Sequence, residues 1–426
     1  MARKKSAVTE TPVAHGRGRA RAGGLRFVVT VVATALAVAL VSGTGVAAVA
    51  VWDIASSAKK TVKLINQPDI IPQIGEIEGG VNMLLVGSDS REGQDPIFGE
   101  YDGAVLNDVN MILHISADHT SAVAVSIPRD MVVPIADCPD GGGGWTGPIN
   151  ATLNDGGLPC VVLTVEELTG LSIPYAAMIQ FGGVINMADA VGGVEVCVSE
   201  PIADEYTGTY LSAGNHVLAG ADALQFLRTR HGVGDGSDLS RISNQQVFLS
   251  SLIRRLLNEG TLTNPLTLYN LAKGALGNMT LSESLNNVDS MVSIAMALRH
   301  ISLDRIVFVQ YPGSTGGSGV YSGKVQPKVA AAEELFAALR ADQPIALTGT
   351  TGAGSVVSDQ PLPVPVTPTP TKTPKKNITT GSPTATATPT PSPTPTPPPA
   401  LTPPVLLSDQ IHGQTAGQYT CSKGNN

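Results

Sequence analysis

Residues 226–246, FLRTRHGVGDGSDLSRISNQQ, gather Arg228, Arg230, Arg241, His231, Asp235 and Asp238 between two apolar segments. That composition suits the wall of an anion-binding site. A planar guanidinium donates two parallel N–H bonds to a phosphate, and a helix start adds free backbone N–H groups. The spacing of Leu249, Leu252, Ile253 and Leu256 marks a helix after the glycine loop, with Asp238 or Ser240 as N-cap and Arg241 in its first turn. A cation there opposes the helix dipole, so it needs a reason, and a bound phosphate supplies one. Gln245 lies four residues on, on the same helical face, and can reach the same ligand. Before the loop, 219–226 reads as a short helix and 226–231 as a strand with Arg228 and Arg230 on one face. A plain surface cluster of arginines paired to Asp235 and Asp238 is the competing reading.

Lysine usage weighs against that competitor. Residues 81–260 contain seven arginines, 22 Asp plus Glu and no lysine, a formal charge of −15. Cations needed only for solubility would include lysine, whereas bidentate phosphate recognition selects arginine. Arg91, Arg129, Arg228, Arg230 and Arg241 all sit in motif-like surroundings.

Positioning them requires a sheet. The apolar run 81–86 delivers Asp89 and Arg91 from its carboxyl end; Asp108 opens a second strand, 109–116; a third, 121–127, is stopped by Pro128 ahead of Arg129. Strands running up, down and up would bring Asp89, Arg91, Asp108 and Arg129 to one edge. Thereafter helices (160–169, 184–190, 285–300, 328–339) alternate with strands (175–181, 194–199, 305–311). The expected fold is α/β, a layered α-β-α domain with a central mixed sheet, over 81–345. From 346 to 426 the pattern dissolves into a disordered tail whose Pro/Thr-rich part, 367–404, builds no core.

Addressing is read from the first 80 residues. Residues 1–26 carry seven Lys or Arg against one Glu, and 27–52 contain no charge over 26 residues, enough to cross a bilayer core of about 30 Å. The expectation is a basic cytoplasmic segment, one uncleaved transmembrane helix and a juxtamembrane connector over 53–80, with everything beyond outside the cell. Of the four cysteines, Cys138 and Cys160 flank a Gly-rich loop and are the first choice for a disulfide in an oxidising compartment; Cys197 reads as a buried thiol and Cys421 as isolated.

Two aspartates converging with arginines suit a metal-bridged diphosphate. Asp89 and Asp108 would hold Mg²⁺, which needs only one or two carboxylates beside phosphate oxygens and water, while the arginines neutralise charge on a transferring phosphoryl group. No nucleotide-binding glycine motif is present, so the activated group must arrive energised, and a lipid-linked diphosphate beside a membrane anchor fits. In order, NMLLVGSDSR, DVNMIL, SIPRD, INATLNDGG, TVEELTG, FGGVINMADAVGGVEV and LAGADALQFLRTRHGVGDGSDLSRISNQQ resemble the LytR-CpsA-Psr proteins of bacterial envelopes. The resemblance implies a membrane-anchored, extracytoplasmic phosphotransferase that moves a glycopolymer from a polyprenyl diphosphate carrier to peptidoglycan; the basic segment 1–26 carries no helix-turn-helix pattern, so no nucleic-acid partner is expected. The resemblance also implies metal-associated Asp89 and Asp108, diphosphate-binding Arg129, Arg230 and Arg241, and supporting Arg91, Arg228 and Gln245. Asp235 or Asp238 is a candidate to orient the arginines or deprotonate the acceptor. The family's arginine two residues before the second aspartate is replaced by Leu106, a lost phosphate contact that motivates the alternatives: a non-catalytic receptor or scaffold for lipid-linked diphosphates, or a pyrophosphatase on the same lipid.

Overall fold

Three apolar runs become neighbouring strands because their inner faces are almost wholly aliphatic. Strand β1 (Val81–Ser88) pairs antiparallel with β2 (Asn107–Ile115), and β2 antiparallel with β3 (Ala122–Ile127). The expected up-down-up course is present, so Asp89, Asp108 and Arg129 leave the sheet at one edge. The computed structural model describes residues 61–65, 80–92, 94, 103, 105–139, 141–258, 276–286, 288–358 and 402–425, all within the compact unit Ser57–Asn426. The segments 1–26 and 27–52 lie outside the described residues, as does most of 53–80. Among the described residues no helix is long and apolar enough to cross a membrane.

The hairpin β4 (Val132–Pro134) and β5 (Thr146–Pro148) follows β3 and leads into helix α1 (Thr152–Thr169), which is kinked at Gly156 and Gly157. Strand β6 (Tyr175–Ile179) runs parallel to β1, and helix α2 (Phe181–Ala190) returns to β7 (Val194–Val198). After the small hairpin β8 (Ile202–Asp204) and β9 (Thr209–Leu211) comes β10 (Gly214–Leu218), which pairs with β7. Helices α3 (Gly220–Arg228) and α4 (Asp238–Asn258) bracket the arginine loop. The chain continues through β11 (Met279–Leu281), helix α5 (Val288–Arg299) and β12 (Ile306–Gln310), then the hairpin β13 (Gly313–Ser314) and β14 (Gln326–Pro327) and helix α6 (Val329–Arg340). It closes with β15 (Ile345–Leu347), β16 (Ser355–Val357), β17 (Val405–Leu407), β18 (Gly413–Thr415) and β19 (Thr420–Ser422).

The central sheet is mixed and seven-stranded, in the order β11-β6-β1-β2-β3-β12-β18. Alternation along β12 separates its two faces. Val307 and Val309 join a core with Val161, Val165, Leu335 and Phe336 of α1 and α6, whereas the Gln310 amide donates to Ser243 Oγ of α4 on the other side. Helices therefore cover both faces, as the layered reading required. A second, four-stranded sheet, β10-β7-β19-β16, packs with α3 and α4 around Phe226, Phe248 and Val196.

Two expectations are corrected at the C-terminus. The tail expected from 346 onward is not uniformly structureless: 345–358 and 402–425 fold onto the domain, and 359–401 lie outside the described residues. Their strands are only three residues long and flank a Pro/Thr-rich stretch, so no local pattern announces them; each is stabilised by a partner distant in sequence. β17 pairs with β15, β18 with β12, and β19 lies between β7 and β16. Nor is Cys197 a free thiol: the register places Cys421 opposite it, and the two form a disulfide. The expected Cys138–Cys160 disulfide is present.

Candidate active site

At the shared strand edge, Arg129 and Arg241 converge on one carboxylate. Arg129 Nη1 donates to Asp108 Oδ1 at 2.7 Å, Arg241 Nη1 stands 3.7 Å from Asp108 Oδ2, and Arg241 Nη2 donates to the Asp108 carbonyl at 2.7 Å. Asp238 ties the same two arginines from the helix side: its Oδ2 accepts the Arg129 backbone N–H at 2.8 Å, and its Oδ1 lies 2.8 Å from Arg241 Nη2. Arg241 is 4% exposed and Asp238 4%. Buried charge at this depth persists only when paired. Even so, Arg129 Nε and Arg241 Nε are buried without a hydrogen-bond acceptor among the described residues. Burial alone would push the Arg129 guanidinium down, but Asp108, then Asp238 and Asp130, outweigh it and hold it above its ordinary range.

Backbone from elsewhere in the chain fixes these groups. The Asp89 N–H donates to the Leu106 carbonyl at 3.1 Å, and the Leu106 N–H donates to Asp89 Oδ1 at 2.8 Å. The residue replacing the family's arginine thus serves through its backbone, aiming a carboxylate. Asn107, fully buried, donates to the Ile149 carbonyl and accepts from Thr152 Oγ1 and the Leu153 N–H, while the Asn150 N–H donates to the Arg129 carbonyl. The segment INATL therefore braces β2 and Arg129 together.

Burial pushes the Asp89 carboxyl up, and the nearby Asp108 charge pushes it further, against the Leu106 hydrogen bond and Arg129. Two carboxylates in mutual repulsion are what a divalent cation relieves. Among the described residues no cluster of three metal-ligating side chains exists. Asp89 and Asp108 supply the small protein share that Mg²⁺ requires, so the donor set fits that ion.

The other arginines depart from the expected strand. Residues 226–228 finish helix α3, because Ala223 and Phe226 pack into the second core, and the chain turns extended only at Thr229. Arg228 lies with its guanidinium 4.4 Å from the Phe181 ring centre; burial lowers its pKa, and Asp108, Arg91, Asp89 and Arg241 are the charges it feels. Arg91 is thus in the same electrostatic neighbourhood. Arg230 turns another way: its Nε donates to the Gly236 carbonyl at 3.1 Å and its Nη1 lies 3.7 Å from Asp130 Oδ2.

Gln245 shares the α4 face with Arg241, and its amide donates to the Leu227 carbonyl at 2.9 Å, holding the end of α3. Ser237, not Asp238 or Ser240, stands before the helix, accepting the Ser240 N–H on its hydroxyl and the Arg241 N–H on its carbonyl. Asp235 is held below its usual range: burial opposes this, but the Ser237 and Ser240 bonds prevail.

Sequence reasoning missed three participants. Asp204 is 1% exposed and its Oδ2 accepts Thr229 Oγ1 at 2.7 Å and the backbone N–H groups of Arg230 and His231 at 2.9 and 3.0 Å. Burial raises its pKa, yet these donors and the Tyr206 N–H outweigh it and keep the carboxylate charged. Nothing local signals the link to the arginine segment, since Thr229, Arg230 and His231 are more than 20 residues away. Asp130, the last residue of SIPRD, joins Arg129, Arg230 and Lys324, the last at 3.2 Å. Its place beside Arg129 was the available signal; Lys324 had none.

The geometry is one arginine-rich, carboxylate-braced recess at a sheet edge, suited to holding a phosphate ester. Comparison with known proteins accords with it. The chain is 30% identical over 279 residues to the cell wall biosynthesis protein LcpA of Corynebacterium glutamicum, covering 58% of this chain and 53% of that protein. It is 29% identical over 232 residues to the polyisoprenyl-teichoic acid–peptidoglycan teichoic acid transferase TagU of Bacillus anthracis, covering 53% of this chain and 70% of that one. It spans about half the length of the first of these. The crystal structure of B. subtilis TagV matches in fold, with a TM-score of 0.51 and 20% identity over 62% of this chain and 98% of TagV. The model of the LytR_cpsA_psr family matches residues 46–339. The chain belongs to the LytR-CpsA-Psr family.

Proposed function

We propose that this protein transfers a glycopolymer from a polyprenyl diphosphate carrier to peptidoglycan through a phosphodiester bond, releasing polyprenyl phosphate. The observation that carries the reading is the convergence of half-buried Arg129 and buried Arg241 on Asp108, beside an Asp89 carboxyl pushed up by burial and by its acidic neighbour. A recess with several fixed cations and a carboxylate pair is matched to a diphosphate and its divalent counter-ion. Asp89 and Asp108 would hold Mg²⁺, which when bound supplies charge neutralisation on the phosphate oxygens.

In this reading an acceptor hydroxyl oxygen bonds to the glycan-side phosphorus, and the bond from that phosphorus to the bridging oxygen breaks. Polyprenyl phosphate leaves carrying the electron pair, and the acceptor hydroxyl's proton passes to the departing phosphate oxygen. Arg129 and Arg241 stabilise the negative charge spread over the transferring group, in a site where water screens poorly. Asp238 keeps both guanidinium groups in place, and Arg228 and Arg91 extend the positive field toward Asp89. The uncharged segment 27–52 would hold the domain at the outer membrane face where such carriers lie.

The test uses the full chain in detergent with a short-chain polyprenyl diphosphate-linked disaccharide, Mg²⁺ and a peptidoglycan fragment, read by mass spectrometry. A new phosphodiester that disappears with Arg241→Ala is the expected result. Glycolipid binding without any transfer, across several acceptors, would overturn the transferase reading, and release of glycosyl phosphate to water alone would make the protein a pyrophosphatase.

A further inference from the structure

Trp145 is one of only two tryptophans in the chain and the one among the described residues, yet it is 40% exposed. Tryptophan in a soluble domain ordinarily hides most of its apolar surface, so an exposed and immobilised one calls for an explanation. This ring is held. Its indole N–H donates to Asp155 Oδ2 at 2.8 Å, and it lies over Gly147, where a Cβ would come within 1.9 Å of ring atom Cζ3. Any other residue at 147 would push the ring away.

The surroundings are equally fixed. The Cys138–Cys160 disulfide closes the loop ahead of Trp145 onto α1, close to the turn that carries Asp155. The Gly142 backbone packs against Asp155, where a Cβ would lie 2.3 Å from the Asp155 carbonyl oxygen. The Asp137 carboxylate adjoins Gly144, the residue before Trp145, where a Cβ would be 2.5 Å from Oδ1. A rigid aromatic plate with one carboxylate at its edge and a second beside the preceding glycine presents an apolar face and hydrogen-bond acceptors together. A pyranose ring has the complementary surfaces: a face of C–H groups and a rim of hydroxyl donors. A phosphate- or uronate-bearing unit would be repelled by the same carboxylates.

Location ties the plate to the phosphate site. The Ile135 N–H donates to the Trp145 carbonyl at 2.7 Å, and Ile135 follows Arg129 by six residues; at about 3.3 Å per extended residue the separation is no more than roughly 20 Å. A short oligosaccharide spans that distance.

We propose that Trp145, with Asp155 and Asp137, forms a subsite that stacks a neutral pyranose unit of a glycan chain whose reacting end lies at the arginine recess. The inference deepens the proposed function, naming the sugar-recognition element beside its phosphate site. Because the ring is pre-positioned, binding costs little ordering.

The experiment uses the full chain in detergent carrying Trp52→Phe, which leaves Trp145 as the sole tryptophan. Chitotetraose and, separately, the polyprenyl diphosphate-linked disaccharide are titrated while Trp145 fluorescence is followed, with affinities measured by calorimetry. A saturable spectral change is expected, with affinity weakened at least tenfold by Trp145→Ala and only two- to fivefold by Trp145→Phe, both variants keeping the parent's thermal transition. A response to chitotetraose assigns the sugar to the acceptor; a response only to the lipid-linked disaccharide assigns it to the donor. No fluorescence response to either sugar, or Trp145→Ala binding as tightly as the parent, overturns the proposal. Arg241→Ala separates the two claims, since it should abolish transfer yet leave the Trp145 response to chitotetraose intact.

Discussion

Asp89 and Asp204 show how the pKa of a buried carboxylate can move in either direction depending on its company. Asp89 meets burial and a like charge, so its pKa lies above the ordinary 3.8 and ionising it costs more in the folded protein than in the unfolded chain. The stability linked to its protonated form is therefore lost as pH rises through the folded pKa. Asp89→Asn should raise the melting temperature at neutral pH without divalent cations by a few degrees, about 1 kcal/mol or less. Mg²⁺ should stabilise the parent but not this variant in the same scan, and transfer should be lost. Asp204 has the opposite sign. Its donors outweigh burial and lower the pKa, so its contribution is present above the unfolded value and disappears as pH falls through the folded one. Asp204→Asn should cost on the order of 2–4 kcal/mol in urea denaturation at pH 7. The gap to the parent should close at acid pH, and kcat should fall because Thr229–His231 no longer fixes Arg230.

At the scale of elements, helix α4 is the hinge between site and tail. Its first turn carries Asp238 and Arg241, and its last turns bind the C-terminal segment: Arg254 Nη1 donates to the carbonyls of Ala416 and Gln418, and Gln414 donates to the Gln246 carbonyl and Ser250 Oγ. The arginine loop is clamped from the same side, with the Gly234 N–H donating to the Lys423 carbonyl and the Asn425 N–H to the Gly232 carbonyl. A chain ending at residue 401 would lose β17, β18 and β19 and leave the Arg254 guanidinium buried without those carbonyls. That single vacancy costs about 3 kcal/mol, before the loss of an inner strand. The truncated protein should show no cooperative thermal transition by circular dichroism, although it retains every residue of the arginine site and the whole family match.

At the scale of the molecule, two disulfides close loops of very different length, with sequence separations of 22 and 224 residues. In the chain-entropy account, removing the Cys197–Cys421 pair by double alanine substitution should cost about 2 kcal/mol more than removing Cys138–Cys160. Equal losses in denaturant titration would mean that unfolded-state entropy is not what the long bridge contributes. Reducing agent should lower the melting temperature of the parent and leave that of the quadruple variant unchanged.

The sequence by itself determined the α/β alternation, the strand edge shared by Asp89, Asp108 and Arg129, and the Cys138–Cys160 bridge. These are written in apolar periodicity, in punctuation by Pro and Gly, and in residue types whose chemistry does not depend on distant partners. Only tertiary structure decided that 226–228 end a helix rather than form a strand, since Phe226 gains more by burial against Phe248 than a short strand would return. Tertiary structure likewise decided that Gln245 serves Leu227, that Asp204 fixes the Arg230 segment, and that the residues after the Pro/Thr-rich stretch complete both sheets. In each case the deciding energy is a pairing between residues far apart in the chain, which no local pattern encodes.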